Sequence, residues 1–502
     1  MYFRSGPRSR AYGEPSTGAL LARRTPLALP PLPIKIEPVS NGEYLPVPLP
    51  PALARVRREA VARVDTNADR AGIDRRVFLG TTCASATVLL GLNSLGCGGG
   101  RYRLPPEAAH EAAAADVLAG DEFIFDVQTH LVAGDRPWWR AEEPNLGDFL
   151  RTQPSSQCGE PDWVQCFTED PFIKEVFLDS DTKMAVLSAL WGDLEANPLL
   201  VQEAARARDR IARMEGAPRL RIHGIVEPNA RSPELTDEAM PALAEAWDVA
   251  AWKLYPVWGP DGEGYRLTDE LAARVFEKGI SLGKNRFAIH KGLPLPGMAP
   301  DYTSPLDVGP AAKAYPDAVL LIYHSGYESD RREGPYDPRA DRGVDALIRS
   351  LAEAGIGKDG NVYAELGSLW RNVMTDPDQA AHVLGKLLTH VGEDRILWGT
   401  DSIWYGSPQD QIQAFRAFEI TPEFQERYGY PALTPVAKAK IFGLNAARVY
   451  DVDPDEMRRA LAWDALANAK RVYEQAPSPS FRTYGPRTRR ELFAFLRAER
   501  GG

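Results

Sequence analysis

From Asp121 to Val452 the chain repeats one pattern. Short, nearly continuous apolar runs alternate with longer segments in which apolar and polar positions recur at helical spacing. The runs are "FIFDVQTH", "KMAVLSAL", "RLRIHGIV", "AAWKLYPV", "RFAIHKG", "AVLLIYHSG", "NVYAELGS" and "RILWGTDS". Segments such as "PELTDEAMPALAEAW" and "TDELAARVFEKGI" lie between them. Strands that are apolar on both faces and alternate with amphipathic helices predict a parallel sheet covered by helices. Eight such strands predict a (β/α)8 barrel; a doubly wound open sheet is the alternative. No glycine-rich G-x-G-x-x-G turn follows the first strand, which argues against the dinucleotide-binding version of that alternative.

Polar residues gather at the C-terminal tips of these runs: His130, Lys253, His290, His324, Glu365 and Asp401. In a barrel all such tips meet on one face, where active sites form. The chain has only seven histidines, and three of them stand at strand ends. Imidazole and carboxylate together suit a divalent metal. His223 lies inside the third strand and reads as a hydrogen-bonded core residue. His382 and His390 fall on a predicted helix away from the tips and read as surface residues, and His110 lies in an Ala-rich stretch before the barrel. Glu365 reads as a hydrogen-bonding support.

The region before the barrel has a different character. Residues 1–70 contain "LALPPLPIKIEP" and "LPVPLPPALARV", and proline at this density predicts a disordered or extended segment. Residues 71–100 include "DRRVFLGTTCASATVLLGLNSLGCGGG", an apolar run too short for a membrane span. Arg75, Arg76, Phe78 and Leu79 resemble a twin-arginine export signal, which implies a periplasmic or envelope location; the other reading is a buried helix of the main domain. Residues 101–120 read as a linker. After the barrel, residues 453–502 form a helical extension that either packs on the barrel side or mediates a homodimer.

Composition adds exclusions. The 502 residues carry a net charge of −10 with no long basic block, so the chain lacks the phosphate-neutralising stripe of a nucleic-acid binder. The four cysteines make no C-x-x-C pair. Cys158 and Cys166 read as free thiols, or as a disulfide if the protein is exported. The loop from Ala133 to about Ser180 is long and rich in Pro, Trp and acidic residues, and is expected to cap the pocket.

Four motifs together carry a family resemblance: "FDVQTH" at the first strand, "IHKG" at the fifth, "YHSG" at the sixth and "WGTDS" at the eighth. The closing "AKIFGLNAARVY" adds Asn445, Ala446 and Arg448. Over Asp121–Asp451 the chain resembles the amidohydrolase-related branch of the amidohydrolase superfamily. That branch contains decarboxylases of aromatic acids and hydrolases of cyclic lactones. The resemblance implies an enzyme that holds one divalent metal, zinc, through His130 and His290. Asp401 would be a further ligand or the base for bound water, and His324 the acid/base or substrate-polarising group.

Gln128 departs from the pattern, which has His or Glu at that place. An amide oxygen is a weaker zinc donor than imidazole or carboxylate. Three outcomes follow: a weakly held metal, a metal-independent site built on His324 and Asp401, or a barrel that only binds a ligand. Lys253 could be a carboxylated bridging ligand, a contact for a substrate carboxylate or a structural ion pair; the substrate contact is the reading adopted. Trp138, Trp139, Trp258, Trp370 and Trp404 fall in loops after strands, and Trp258, Trp370 and Trp404 are taken as walls for a small planar substrate. The reaction expected is metal-dependent hydrolysis of a small carboxylated or cyclic, lactone- or amide-like molecule, with non-oxidative decarboxylation as the alternative.

Overall fold

The computed structural model describes residues 32–36, 49–141, 146–152, 158, 160, 162–192, 196–215, 217–229, 233–259, 262–294 and 299–478. Its centre is a parallel sheet of eight strands in sequential order: β2 (Phe125–Thr129), β3 (Met184–Leu187), β4 (Leu220–Ile225), β5 (Ala251–Leu254), β6 (Arg286–His290), β7 (Val319–Tyr323), β8 (Val362–Glu365) and β9 (Ile396–Leu397). A sequential order with every neighbour parallel is the barrel topology and excludes the doubly wound alternative.

The last strand returns to the first. Val127 N–H donates to the Trp398 carbonyl at 3.0 Å, and Asp401 N–H donates to the Gln128 carbonyl at 2.8 Å. His130 N–H reaches the Ser402 carbonyl at 2.5 Å. The Asp126 carboxylate reinforces this seam: it accepts from the Thr400 backbone N–H at 3.1 Å and from the Thr400 hydroxyl.

The strands are buried on both faces, which explains their unbroken apolar runs. Inside the barrel, Phe125, Val127, Met184, Ala288, Leu321 and Tyr323 form a core with Tyr450, Met457 and Leu461 from the C-terminal region. His223 sits in that core and bonds the Tyr450 hydroxyl at 3.1 Å, as its place within a strand implied. The described part of the extension therefore packs on the barrel. Arg219 and Asp464 make a buried ion pair there, and the Tyr473 hydroxyl bonds Asp179. The segment "RRELFAFLRAER" lies outside the described residues.

Two expectations before the barrel need correction. Pro51–Ala71 is a helix, α1, not an extended segment. Its proline occupies the first turn, where no amide hydrogen is needed, and Leu53, Val56, Ala60, Val64 and Ala68 fall on one buried face. The remainder of residues 1–48 lies outside the described residues apart from 32–36, which are buried, with Lys35 Nζ held by the Ser407 carbonyl at 2.8 Å and Asp410 Oδ1 at 3.2 Å.

The twin-arginine region forms α2 (Arg75–Leu79) and α3 (Thr82–Leu92). Helix α3 is buried over most of its length and joins α1 through Asn67 Nδ2 and the Thr87 hydroxyl at 3.0 Å. The linker expected over residues 101–120 is partly ordered. Strand β1 (Gly100–Tyr102) pairs antiparallel with β10 (Phe418–Ile420), followed by short helical turns. A Cβ on Gly100 would stand 2.1 Å from the Pro377 carbonyl oxygen, so the end of the glycine run serves a close passage. Among the described residues no helix is long and apolar enough to cross a membrane.

Candidate active site

The C-terminal ends of the strands open into a cavity. Gln128, His130, His290, His324 and Asp401 all line it. The barrel seam accounts for three of these, because pairing β2 with the chain after β9 puts Gln128 and His130 against Asp401. Gln128 Nε2 donates to Asp401 Oδ1 at 3.0 Å, and His130 Nε2 stands 3.0 Å from the same oxygen. Asp401 Oδ2 accepts from the Ser368 hydroxyl at 2.5 Å, and Ser368 in turn meets the Tyr405 hydroxyl at 2.6 Å.

His324 and His290 stand across the cavity, with ring centroids 4.7 Å apart. The Nδ1 of His324 is 2.7 Å from the Gly367 carbonyl, which fixes the hydrogen on that nitrogen and leaves Nε2 as an acceptor. Glu365 supports this corner from beneath. Its carboxylate accepts the His324 N–H at 3.0 Å and the Gly367 N–H at 2.5 Å. His324, Ser368 and Asp401 have φ angles of +64°, +54° and +61°. Left-handed non-glycine residues at three strand tips are a costly arrangement that concentrates at functional sites, at about 1–3 kcal/mol each.

Burial shapes the charges. It pulls the His324 imidazole down to about 4, against the pull of the Asp401 charge and the Gly367 carbonyl. It also draws His290 well below the usual histidine range, helped by His324 and Lys253. For Asp401 burial would raise the carboxyl, but His130, His324 and the Ser368 hydroxyl outweigh it and hold the group well below the usual carboxylate range. Asp401 is therefore ionised beside a neutral His324. In the seam, burial pushes Asp126 up to about 7, against the hydrogen bonds from Thr400 and the Gln128 backbone.

The donor chemistry suits a divalent ion, and one contact calls for positive charge. His130 Nδ1 lies 3.1 Å from the Ser188 carbonyl and so carries its hydrogen there, leaving the Nε2 lone pair facing Asp401 Oδ1. That contact becomes favourable with a proton on Nε2 or with a cation shared by the two atoms. His130 Nε2 also lies 3.5 Å from Gln128 Nε2, and the buried Gln128 Oε1 has no hydrogen-bond partner. The third implied ligand is turned away, because His290 Nε2 is 3.2 Å from the Leu293 carbonyl. Among the described residues no three His, Cys, Asp or Glu side chains are grouped to hold a metal as they stand. A divalent ion would thus take His130, Asp401 and His290, the last exchanging Leu293 for the ion.

Other residues stand elsewhere than expected. Trp404 lines the cavity and stacks on His130, 5.0 Å between centroids. Trp370 does not line it: the side chain is buried in an outer layer against Phe415 and Phe418, with its indole N–H on the Gln411 carbonyl at 2.9 Å. Trp258 is also buried outside the lining. Both follow strands, but their helix or turn directs the ring outward into packing. Trp138 and Trp139 join Trp163 in an aromatic cluster of the first loop.

Lys253 is fully buried and outside the lining, so it does not present its ammonium to a substrate. Its Nζ has no hydrogen-bond partner and lies 4.3 and 4.1 Å over the rings of Tyr255 and Tyr323. Burial draws this ammonium down to about 7, against attraction from Asp401 and Glu365. His382 is buried rather than exposed, with Nδ1 3.0 Å from the Tyr430 hydroxyl; its helix, Pro377–His390, is buried on every side over Gln379–Leu388 and offers no exposed face there. His390 is exposed, as expected.

Ser368, Tyr405 and Tyr255 line the cavity and were not singled out from sequence. Ser368 alone had a usable signal, lying at the tip of "YAELGS". From the long first loop, Leu146 and Phe149 on the helix Leu146–Thr152 reach the cavity, and Cys158 and Cys166 form a disulfide.

Residues 177–452, more than half of the chain, match the family described as Amidohydrolase. The chain belongs to the amidohydrolase family, and it is an enzyme of the hydrolase or carboxy-lyase kind that this family contains. No curated protein matches it as a relative.

Among solved structures it is similar to a probable 2-pyrone-4,6-dicarboxylic acid hydrolase from Acinetobacter baumannii with citric acid bound, at 13% identity over 65% of this chain and 99% of that one, TM-score 0.39. It is also similar to 5-carboxyvanillate decarboxylase from Sphingomonas paucimobilis, at 14% identity over 66% of this chain and 99% of that one, TM-score 0.42. An amidohydrolase from Burkholderia multivorans with bound zinc matches at 15% identity over 66% of this chain and 100% of that one, TM-score 0.39.

The Gln128 amide donates to Asp401 where a ligand would receive the ion. Gln128→His is therefore expected to raise affinity for zinc by about tenfold or more, since imidazole is the better donor. Titration of both proteins against a competing chelator measures the difference, and equal affinities would remove this strand tip from the ligand set.

Proposed function

We propose that the chain is a metal-dependent hydrolase that attacks a small cyclic or carboxylated ester- or amide-like molecule with water. The observation that carries this reading is the Asp401 carboxylate in the cavity lining, with one oxygen 3.0 Å from His130 Nε2 and the other held by the Ser368 hydroxyl, in the same cavity as His324. A divalent ion, when bound, supplies Lewis-acid polarisation of water and carbonyl groups. The chain's own residues do the rest. Asp401 accepts the proton of the attacking water and returns it to the leaving group. Ser368 holds the second carboxylate oxygen so that the first faces the cavity. His324, with Nδ1 committed to Gly367, offers Nε2 to orient the water or a substrate N–H. Trp404 fixes the His130 ring by stacking.

Family membership fits a carboxy-lyase equally, so the reaction is decided by product. We expect the purified protein, offered lactones, cyclic amides and aromatic acids, to open rings without releasing carbon dioxide. His324→Ala is expected to lower kcat by about 100-fold or more, the usual range for a positioned acid–base group. Carbon dioxide release would assign decarboxylation. Ligand binding without turnover would leave a binding barrel.

Export to the periplasm or envelope is proposed from the twin arginines, and the Cys158–Cys166 disulfide supports it, since such bonds persist in oxidising compartments. The double change Arg75→Lys, Arg76→Lys is expected to retain the protein in the cytoplasm. Fractionation showing an unchanged distribution would refute the signal.

A further inference from the structure

We propose that the cavity selects an uncharged, planar ring carrying the scissile ester or amide group, and rejects the same ring when a carboxylate is placed away from the reacting end. This rests on the hydrolytic reading of the site and narrows its substrate.

The cavity has two regions of opposite character. Its floor holds the polar groups already described. The rest of the described lining is mostly apolar, with Leu146, Phe149, Leu190, Trp191, Pro294 and Trp404, and its polar side chains are Ser329 and Asn372. Among the described residues that line the cavity there is no lysine or arginine, and the one carboxylate is Asp401. An anionic group leaving water for an apolar wall loses its hydration and needs a cation or several donors in return. Among the described lining residues this part of the cavity offers no cation; Asn372 Nδ2 already donates to the Ser368 carbonyl at 2.7 Å, which leaves the Ser329 hydroxyl, and aromatic faces carry the negative side of the ring quadrupole, which repels an anion.

Two buried cations lie near without entering the wall. Lys253 is fully buried against Tyr255 and Tyr323. Arg371 is buried with its guanidinium 5.9 Å over the Tyr405 ring. A divalent ion at His130 and Asp401 would add positive charge only at the floor, where the reacting group sits. A second carboxylate at the wall would remain unmatched. An uncharged ring meets the reverse situation: Trp191, Phe149 and Trp404 offer flat apolar surface, and hydrophobic contact with a planar ring repays its desolvation.

The test uses two probes that share one amide end and differ by one charge, acetanilide and 4-acetamidobenzoate. Isothermal titration calorimetry on the full chain at neutral pH is expected to show acetanilide binding about tenfold or more tightly. Phe149→Lys, which puts a cation in the wall, is expected to reverse that order. Equal or tighter binding of the anion to the unaltered protein, or no binding of either probe, would overturn the proposal. Because the readout is binding, selectivity for acetanilide without turnover of any ester or amide would defeat the hydrolytic assignment and leave the selectivity standing.

Discussion

Barrel closure is the constraint on which the site depends. The first and eighth strands are far apart in sequence, and only their pairing brings Gln128 and His130 beside Asp401. The seam is short, because β9 has two residues and the chain then turns away. Three backbone hydrogen bonds and the Asp126–Thr400 clamp do the work of a longer ladder. Asp126 is fully buried and takes all its partners from the seam. A buried carboxylate that loses such donors costs several kcal/mol, so the clamp fixes the register of the two strand tips strongly.

The other side of the cavity is held by a different device. Glu365, at the end of β8, binds the backbone of His324 and of Gly367, and Gly367 in turn orients the His324 ring. Two strand tips are thus tied by one buried carboxylate, as they are at the seam. Each tie carries a residue in the left-handed region, His324 in one case and Asp401 in the other. The strain is sustained because the surrounding bonds over-determine the conformation. The result is a floor in which proton acceptors are presented without freedom to rotate, the preorganisation that acid–base chemistry requires.

Much of this was legible in the sequence because strand tips are local features. Continuous apolar runs mark the strands, and a polar residue ending such a run marks the functional end, which is why Gln128, His130, His290, His324 and Asp401 were found before their contacts were known. What escaped depends on side-chain direction after the strand has ended. Trp370 and Trp404 both follow strand tips, yet one turns outward onto Phe415 and the other inward onto His130. Lys253 ends a run like the histidines, but its long stem stays under the floor between two tyrosines. Helix α1 was obscured for another reason. Proline-rich surroundings hid a heptad-like apolar face that begins at a proline fit for a first turn.

The central claim is that the seam between the first and last strands holds the site together. A double-mutant cycle on Asp126→Ala and Thr400→Val, read by urea denaturation, tests it most directly. The account predicts that the two changes are strongly non-additive, with a coupling of about 1–3 kcal/mol, because each removes the other's partner. Effects that simply add would show that Asp126 and Thr400 do not act as one clamp, and would contradict it.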